Sequence, residues 1–330
     1  MNKIIVSGVK PTGNLHLGNY FGAIKHHVYL QNNDNRTIYF LADLHALTTV
    51  KDKKILEDNV LNLAISYLSL GVDPEKTIFF RQSDIVEHSE LAIILANYVS
   101  HSQMQRMHAY KDIISKEEQS NINMGLFNYP ILMSADILIY KPDGVPVGID
   151  QKQHVELTRD IAQNFNKTYK TEYFKLPEPI IDTNSARIIG TDGKNKMSKS
   201  KGNIISIFET EEEIKKQIRS CYTDPTRIKA TDPGHIDGNT VFIYLEALEY
   251  VDLETLKQKY IKGLVGDMEV KDILFNTYIA YFKFARDKRN EYLKNIDLVR
   301  DILKNGSIKA SEIAAKTLKE VKEIVGLKRI

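Results

Sequence analysis

The chain has 330 residues, enough for a full nucleotide-binding domain and a smaller second one, and its 42% hydrophobic and 27% charged content is that of an ordinary globular protein. A formal net charge of +2 gives no general attraction for nucleic acid, so any RNA contact must come from local patches. Cys221 is the only cysteine, which excludes a disulfide framework and a cysteine-ligated zinc or iron–sulfur site within one chain. No apolar run reaches the ~18 residues of a membrane span, and the N-terminus passes directly into a strand pattern, so a cytoplasmic protein is expected.

A short apolar run at 4–6 is followed by Lys10-Pro11-Thr12-Gly13-Asn14-Leu15-His16-Leu17-Gly18-Asn19-Tyr20 and then by helical spacing over 21–30. A glycine-bearing turn between strand and helix binds phosphate well, because glycine lets the backbone approach and the helix start presents free N–H groups. The spacing matches neither the P-loop nor the dinucleotide fingerprint. Taken alone, the stretch is equally a glycine loop that caps a helix. A buried strand follows at 37–42, then His45, a helix over about 52–70 stopped by Gly71, and a third strand at 76–81. This alternation predicts a parallel, doubly wound (Rossmann-like) α/β sheet, with ligands at the C-terminal ends of its strands.

The pattern over 87–140 is mainly helical, interrupted near 115–123, and reads as an insertion. A strand at 145–148 leads into a helix reaching about 166. The segment 173–183, with Pro177 and Pro179, reads as a connecting loop, and the return to the sheet is expected at 186–189. Beyond Asn203 strand signals largely vanish. Helices are expected at about 210–220, 239–249, 252–262, 267–292 and 310–325, so a catalytic domain at 1–203 and an all-helical domain at 204–330 are predicted, the last helix packing back on the first domain.

Lys196-Met197-Ser198-Lys199-Ser200, followed by Lys201-Gly202-Asn203, is on its own most simply a solvated turn. Together with His16-Leu17-Gly18-Asn19 it resembles the KMSKS and HIGH signatures of the class I aminoacyl-tRNA synthetases. The stretches 7–13, Arg106-Met107-His108-Ala109-Tyr110-Lys111, Tyr129-Pro130-Ile131-Leu132-Met133-Ser134-Ala135-Asp136 and Val145-Pro146-Val147-Gly148-Ile149-Asp150-Gln151-Lys152-Gln153-His154 extend the likeness to nearly the whole chain. It is similar to the bacterial-type tryptophanyl-tRNA synthetase family. Tyrosyl enzymes would be expected to carry a different stretch in place of the last one.

The resemblance implies formation of tryptophanyl-AMP from L-tryptophan and ATP with Mg²⁺, then transfer to tRNA(Trp) by a homodimer. It places Asp136 against the indole N–H, Tyr129 and Gln151 near the ammonium group, and Val6, Gly8, His45, Met133, Val145 and Val147 around the indole. For the apolar members, core packing is an equal reading. ATP would meet Lys10, Pro11, Thr12, Gly18 and Asn19, with Gly148, Ile149, Asp150 and Ile188 near the adenosine. The KMSKS residues Lys196, Met197, Ser198, Lys199 and Ser200 would also contact ATP. His16, Asn19, Lys111, Lys196 and Lys199 would carry the chemistry, which needs no covalent enzyme intermediate. Lys10, Ile149 and Asn19 depart from the common family residues. A tyrosyl enzyme, a catalytically silent tRNA-binding relative and another nucleotidylyltransferase of the same superfold are the alternatives. Tyr278, Tyr281, Phe282 and Ala285 share one helical face and read as core rather than a base-stacking platform. Arg286, Lys288 and Arg289 are either a phosphate-contacting patch or a solvated helix end. Ile93, Ile94, Ala96, Asn97, Tyr98, Met104 and Met107 are either a dimer surface or an internal core.

Overall fold

Strands β1 (Ile4–Val9), β2 (Arg36–Leu41), β3 (Thr77–Arg81), β4 (Gly144–Pro146) and β5 (Glu178–Ile180) pair in the order β3-β2-β1-β4-β5, all parallel. The computed structural model describes residues 3–115, 123–182 and 188–327. β2 is buried from Thr37 onward because both faces of the sheet are covered, which is why its sequence is a continuous apolar run rather than an alternation. Ile38 and Phe40 join a core with Phe80 of β3 and with Leu91, Ala135, Leu157, Phe165 and Ala314, contributed by helices Glu87–Leu95, Met124–Leu138, Lys152–Tyr169 and Ile296–Ile324. Tyr39 turns the other way, donates its hydroxyl to the His27 carbonyl at 2.9 Å, and lies beside Tyr67 of helix Lys53–Ser69. The order of crossovers reverses between β1 and β4, so a crevice for ligands is expected outside their C-terminal ends, at Gly8 to Lys10 and at Val147 to Gly148.

Two compact units divide the chain, and they do not follow a boundary at 203. The first comprises Met1–Gly13, His27–Asp182 and Asn295–Ile330; the second comprises Asn14–His26 and Thr183–Lys294. Two local corrections have clear causes. The fifth strand is Glu178–Ile180, inside the stretch read as a loop. Pro179 obscured it, and the strand tolerates proline because it is an edge with a free side. The expected return at 186–189 falls partly outside the described residues, and Ile189 forms an isolated antiparallel bridge with Lys196 instead of joining the sheet.

The last helix runs from Ile296 to Ile324, starting well before the predicted 310. Asn305, Gly306 and Ser307 weaken the helical signal. Gly306 is there because the helix backbone lies against β3: a Cβ at that position would stand 1.9 Å from the Phe79 carbonyl oxygen. The helix thereby covers the other edge of the sheet. The first unit also absorbs Ile94, Met104 and Met107 into its core, so of the proposed dimer surface it is Ile93, Ala96 and Asn97 that stay exposed.

The second unit is built on helices Glu211–Arg219, Thr240–Ala247, Leu253–Ile261 and Asp267–Lys294. Tyr278, Phe282 and Ala285 are buried on the long helix, and Arg286 donates to the carbonyls of Ile207 (2.7 Å) and Glu209 (2.9 Å). Arg289 lies over the Phe208 ring and Lys288 pairs with Glu291. Arg286 and Arg289 are therefore committed to holding the 207–209 segment, while Lys288 pairs within its own helix.

Candidate active site

The first unit encloses one carboxylate. Helix Met124–Leu138 carries Asp136, which is 1% exposed. His45 lies just past β2 and Gln82 just past β3, so the carboxylate stands at the C-terminal edge of the sheet. Its Oδ1 is 2.7 Å from His88 Nδ1 and accepts from Gln82 Nε2 at 2.8 Å. Oδ2 is 2.8 Å from His45 Nε2 and accepts from Gln82 at 2.9 Å. Burial alone would raise the pKa of this group, but hydrogen bonds from His45 and His88 reverse the effect and hold it at about 2, so it is an ionised acceptor at neutral pH. Gln82 and His88 are fully enclosed, whereas the His45 side chain is 13% exposed. A ligand donor that reaches Asp136 must therefore come in where His45 stands.

Walls are supplied by the neighbouring elements. Met133 and Val147 pack on a small cluster of Ile137, Val145 and Val155. Gly8 is exposed and must be glycine, since a Cβ would lie 2.4 Å from the Phe40 ring. Val6 is 0% exposed and belongs to the main core. Tyr129 and His154 face each other, hydroxyl to Nε2, at 2.8 Å. Burial pushes the Tyr129 phenol up to about 12 and His154 down to about 4, so the phenol donates to a neutral imidazole. Lys10 donates to Thr48 Oγ1 at 3.1 Å, and Thr48 in turn donates to the His45 carbonyl at 2.7 Å. Burial lowers the pKa of Lys10. Pro11 is buried while Thr12 is exposed, as are Gly148, Ile149 and Asp150 on the turn after β4. A Cβ on Gly148 would lie 2.6 Å from Asp150 Oδ1, so the exposed carboxylate would have to swing aside for any larger residue. Gln151 closes the turn, its N–H donating to the Gly148 carbonyl at 2.9 Å. Lys111 is exposed on helix His108–Ile114.

The second unit joins the other two motifs to each other. His16 bridges Ser206 in antiparallel fashion, Leu17 N–H donates to the Ile205 carbonyl at 2.9 Å, and Tyr278 fixes Ser206 through its carbonyl at 3.0 Å. Asn19 Oδ1 accepts the His16 N–H at 3.1 Å, so this asparagine holds the turn's shape. A π-helical turn, Tyr20–Ile24, comes directly after it. Gly18 N–H points at the Met197 sulfur, 3.3 Å away, and Met197 is buried there. Met197 and Ile188 are both buried.

The lysine loop is clasped shut. Asn203 Oδ1 accepts the Ser198 N–H at 2.8 Å while its amide donates to Asp192 Oδ2 at 2.9 Å. Ser198 and Ser200 share a hydrogen bond at 3.0 Å. His16 is held down at about 4, by burial first and then by the charges of Lys199 and Lys196, so it is neutral at pH 7. The pKa of Lys199 is lowered by burial. Among the described residues no group of three or more His, Cys, Asp or Glu is placed to hold a metal ion. The Mg²⁺ expected with ATP therefore has no ligand cage among them.

Sequence reasoning missed Gln82 and His88. Neither sits in a recognisable motif, and the only signal was the presence of Gln82 at the C-terminal end of a predicted strand.

A family model for class I tRNA synthetases (W and Y) matches residues 2–283. The chain is 46% identical to the tryptophan–tRNA ligase of Fusobacterium nucleatum over 98% of its length and 97% of that protein's. It is 40% identical to the tryptophan–tRNA ligase of Borreliella burgdorferi, covering 99% of this chain and 94% of the relative. Among solved structures it is similar to tryptophanyl-tRNA synthetase from Campylobacter jejuni complexed with ADP and tryptophan, with a TM-score of 0.90, 40% identity, and coverage of 98% and 99% of the two chains. The chain belongs to the class I tRNA synthetases of the tryptophan and tyrosine group.

Proposed function

We propose that this chain is a tryptophan–tRNA ligase, which activates L-tryptophan with ATP and transfers it to tRNA(Trp). The observation that carries this reading is the buried, ionised Asp136, which can only accept and which rejects a ring that offers no N–H. The full-length likeness to tryptophan–tRNA ligases, and to a relative crystallised with ADP and tryptophan, supports it.

In the first step the tryptophan carboxylate oxygen attacks the α-phosphorus of ATP. The new O–P bond forms as the bond to pyrophosphate breaks, giving tryptophanyl-AMP. Tyr129 and Gln151 receive the ammonium group, and Gly8, Met133, Val145 and Val147 flank the indole. Lys10, Pro11, Thr12, Gly18, Asn19, Gly148, Ile149 and Asp150 meet ATP. Neutral His16 donates an N–H to phosphate rather than adding a full charge. Lys111, Lys196 and Lys199 stabilise the charge that builds on the departing oxygens. In the second step the 2′-hydroxyl of the terminal tRNA adenosine attacks the activated carbonyl carbon, and AMP leaves. Mg²⁺, accompanying ATP, would add to the charge stabilisation that Lys111, Lys196 and Lys199 provide. The enzyme works as a cytoplasmic homodimer. Tryptophan-dependent exchange of labelled pyrophosphate into ATP tests the reading: exchange with tryptophan and not with phenylalanine is expected, and no exchange with any amino acid would sink it.

A further inference from the structure

Asp136 does not hold its own orientation. His88 is enclosed on every side, and both of its ring nitrogens are used: Nδ1 lies 2.7 Å from Asp136 Oδ1, and Nε2 lies 2.7 Å from the Tyr140 hydroxyl. Aromatic rings box it in, with Tyr140, Phe40 and Phe80 all edge-on at centroid distances of 5.4, 5.8 and 6.2 Å. The imidazole therefore cannot rotate without losing both bonds. The Asp136 carboxylate is ionised and can only accept, so His88 Nδ1 carries a proton and donates to it. Tyr140 holds the opposite ring nitrogen, so the Nδ1–H stays directed at Asp136. Gln82 is fixed from its other end, where its Oε1 accepts the Leu44 N–H at 3.1 Å, which commits its amide nitrogen to the carboxylate. Neither Gln82 nor His88 can be reached from the pocket.

We infer that His88, anchored by Tyr140, is with Gln82 a positioning residue for substrate selection: the pair hold the Asp136 carboxylate so that Oδ2 is presented to the donor group of the amino-acid side chain. The inference rests on Asp136 being the reader of the indole N–H. Its physical basis is that selection against a ring lacking N–H requires an acceptor that cannot turn away or relax onto another partner. Two enclosed donors on Oδ1 and between the oxygens prevent that, leaving Oδ2 as the exchangeable position where His45 now sits.

The test compares tryptophan with 3-benzothienylalanine, which has sulfur in place of the indole N–H, by pyrophosphate exchange in the full-length enzyme. For His88→Leu the KM for tryptophan is expected to rise about tenfold, with kcat within about twofold and the analogue's KM nearly unchanged. His88→Asn restores a donor near the Nδ1 position and should recover most of the loss. Tyr140→Phe keeps the imidazole but removes its anchor at Nε2. It should shift tryptophan in the same direction by about threefold, and it serves if the leucine variant folds poorly. Equal losses for both substrates in His88→Leu and Tyr140→Phe would show a purely structural role and overturn the inference, as would unchanged selectivity. A parent enzyme that does not prefer tryptophan over the analogue would overturn the reading of Asp136 itself, which separates that failure from this one.

Discussion

Substituting Asp136→Asn changes one atom's chemistry while keeping the side chain's shape, and the four contacts around the carboxylate determine the cost. Oδ1 faces Gln82 and His88, and Oδ2 faces His45 and Gln82. An amide has a single acceptor oxygen, so whichever way it turns, its NH₂ group meets donors. One buried donor is left unsatisfied, at about 1–3 kcal/mol of stability. The indole N–H loses a charged acceptor, worth about 1.5–3 kcal/mol, which corresponds to roughly ten- to a hundredfold in discrimination. Pyrophosphate exchange with tryptophan and with 3-benzothienylalanine measures the second effect, and thermal melting measures the first. A variant whose preference for tryptophan matches the parent would refute the assignment of Asp136 as selector, however much stability it lost.

Other consequences are equally open to measurement. Gly306→Val should destabilise the chain by about 1–3 kcal/mol, read by urea titration, because a side chain there collides with the β3 backbone; an unchanged midpoint would mean the helix is not seated on that strand. Asn203→Ala removes the clasp on Ser198 and Asp192, and kcat for tryptophan activation should fall about tenfold, while tryptophan affinity, followed by the ligand's own fluorescence in a protein without tryptophan, stays within about twofold. His16 and His154 both have folded pKa values near 4, below the unfolded value of ~6.5. The unfolded chain therefore binds more protons in between, so stability is full above about pH 6.5 and falls as the pH drops toward 4. His154→Asn should shrink the fall in melting temperature between pH 7 and 5, and an undiminished fall would contradict the burial of a neutral imidazole there.

How much of this was legible in the sequence depends on how local each signal was. The parallel strands at 4–9, 36–41 and 77–81 declared themselves because buried strands are written as apolar runs. Asp136 was legible as a charge on an apolar helix face, and the two signature motifs were legible as letters. What supports them was not. Gln82 and His88 are brought to Asp136 by the crossover order of the sheet, and Tyr140 by the end of its helix, across separations that no sequence period records. Proline hid β5, and glycine hid half of the last helix, because each residue answers a tertiary demand that overrides local preference. Of the residues placed around the indole, Val6 and Val145 are buried whereas Gly8 is exposed, a difference that no local pattern announces.

Aminoacylation of tRNA is the most direct measurement of the central claim, because it requires the pocket, the signature loops and the helical unit together. Purified chain, ATP and Mg²⁺ should attach labelled tryptophan to tRNA(Trp), and should attach neither tyrosine nor phenylalanine under the same conditions. Tyrosine charging at a comparable rate would contradict the selectivity assigned to Asp136, and tRNA that binds but is never charged would contradict the enzyme assignment as a whole.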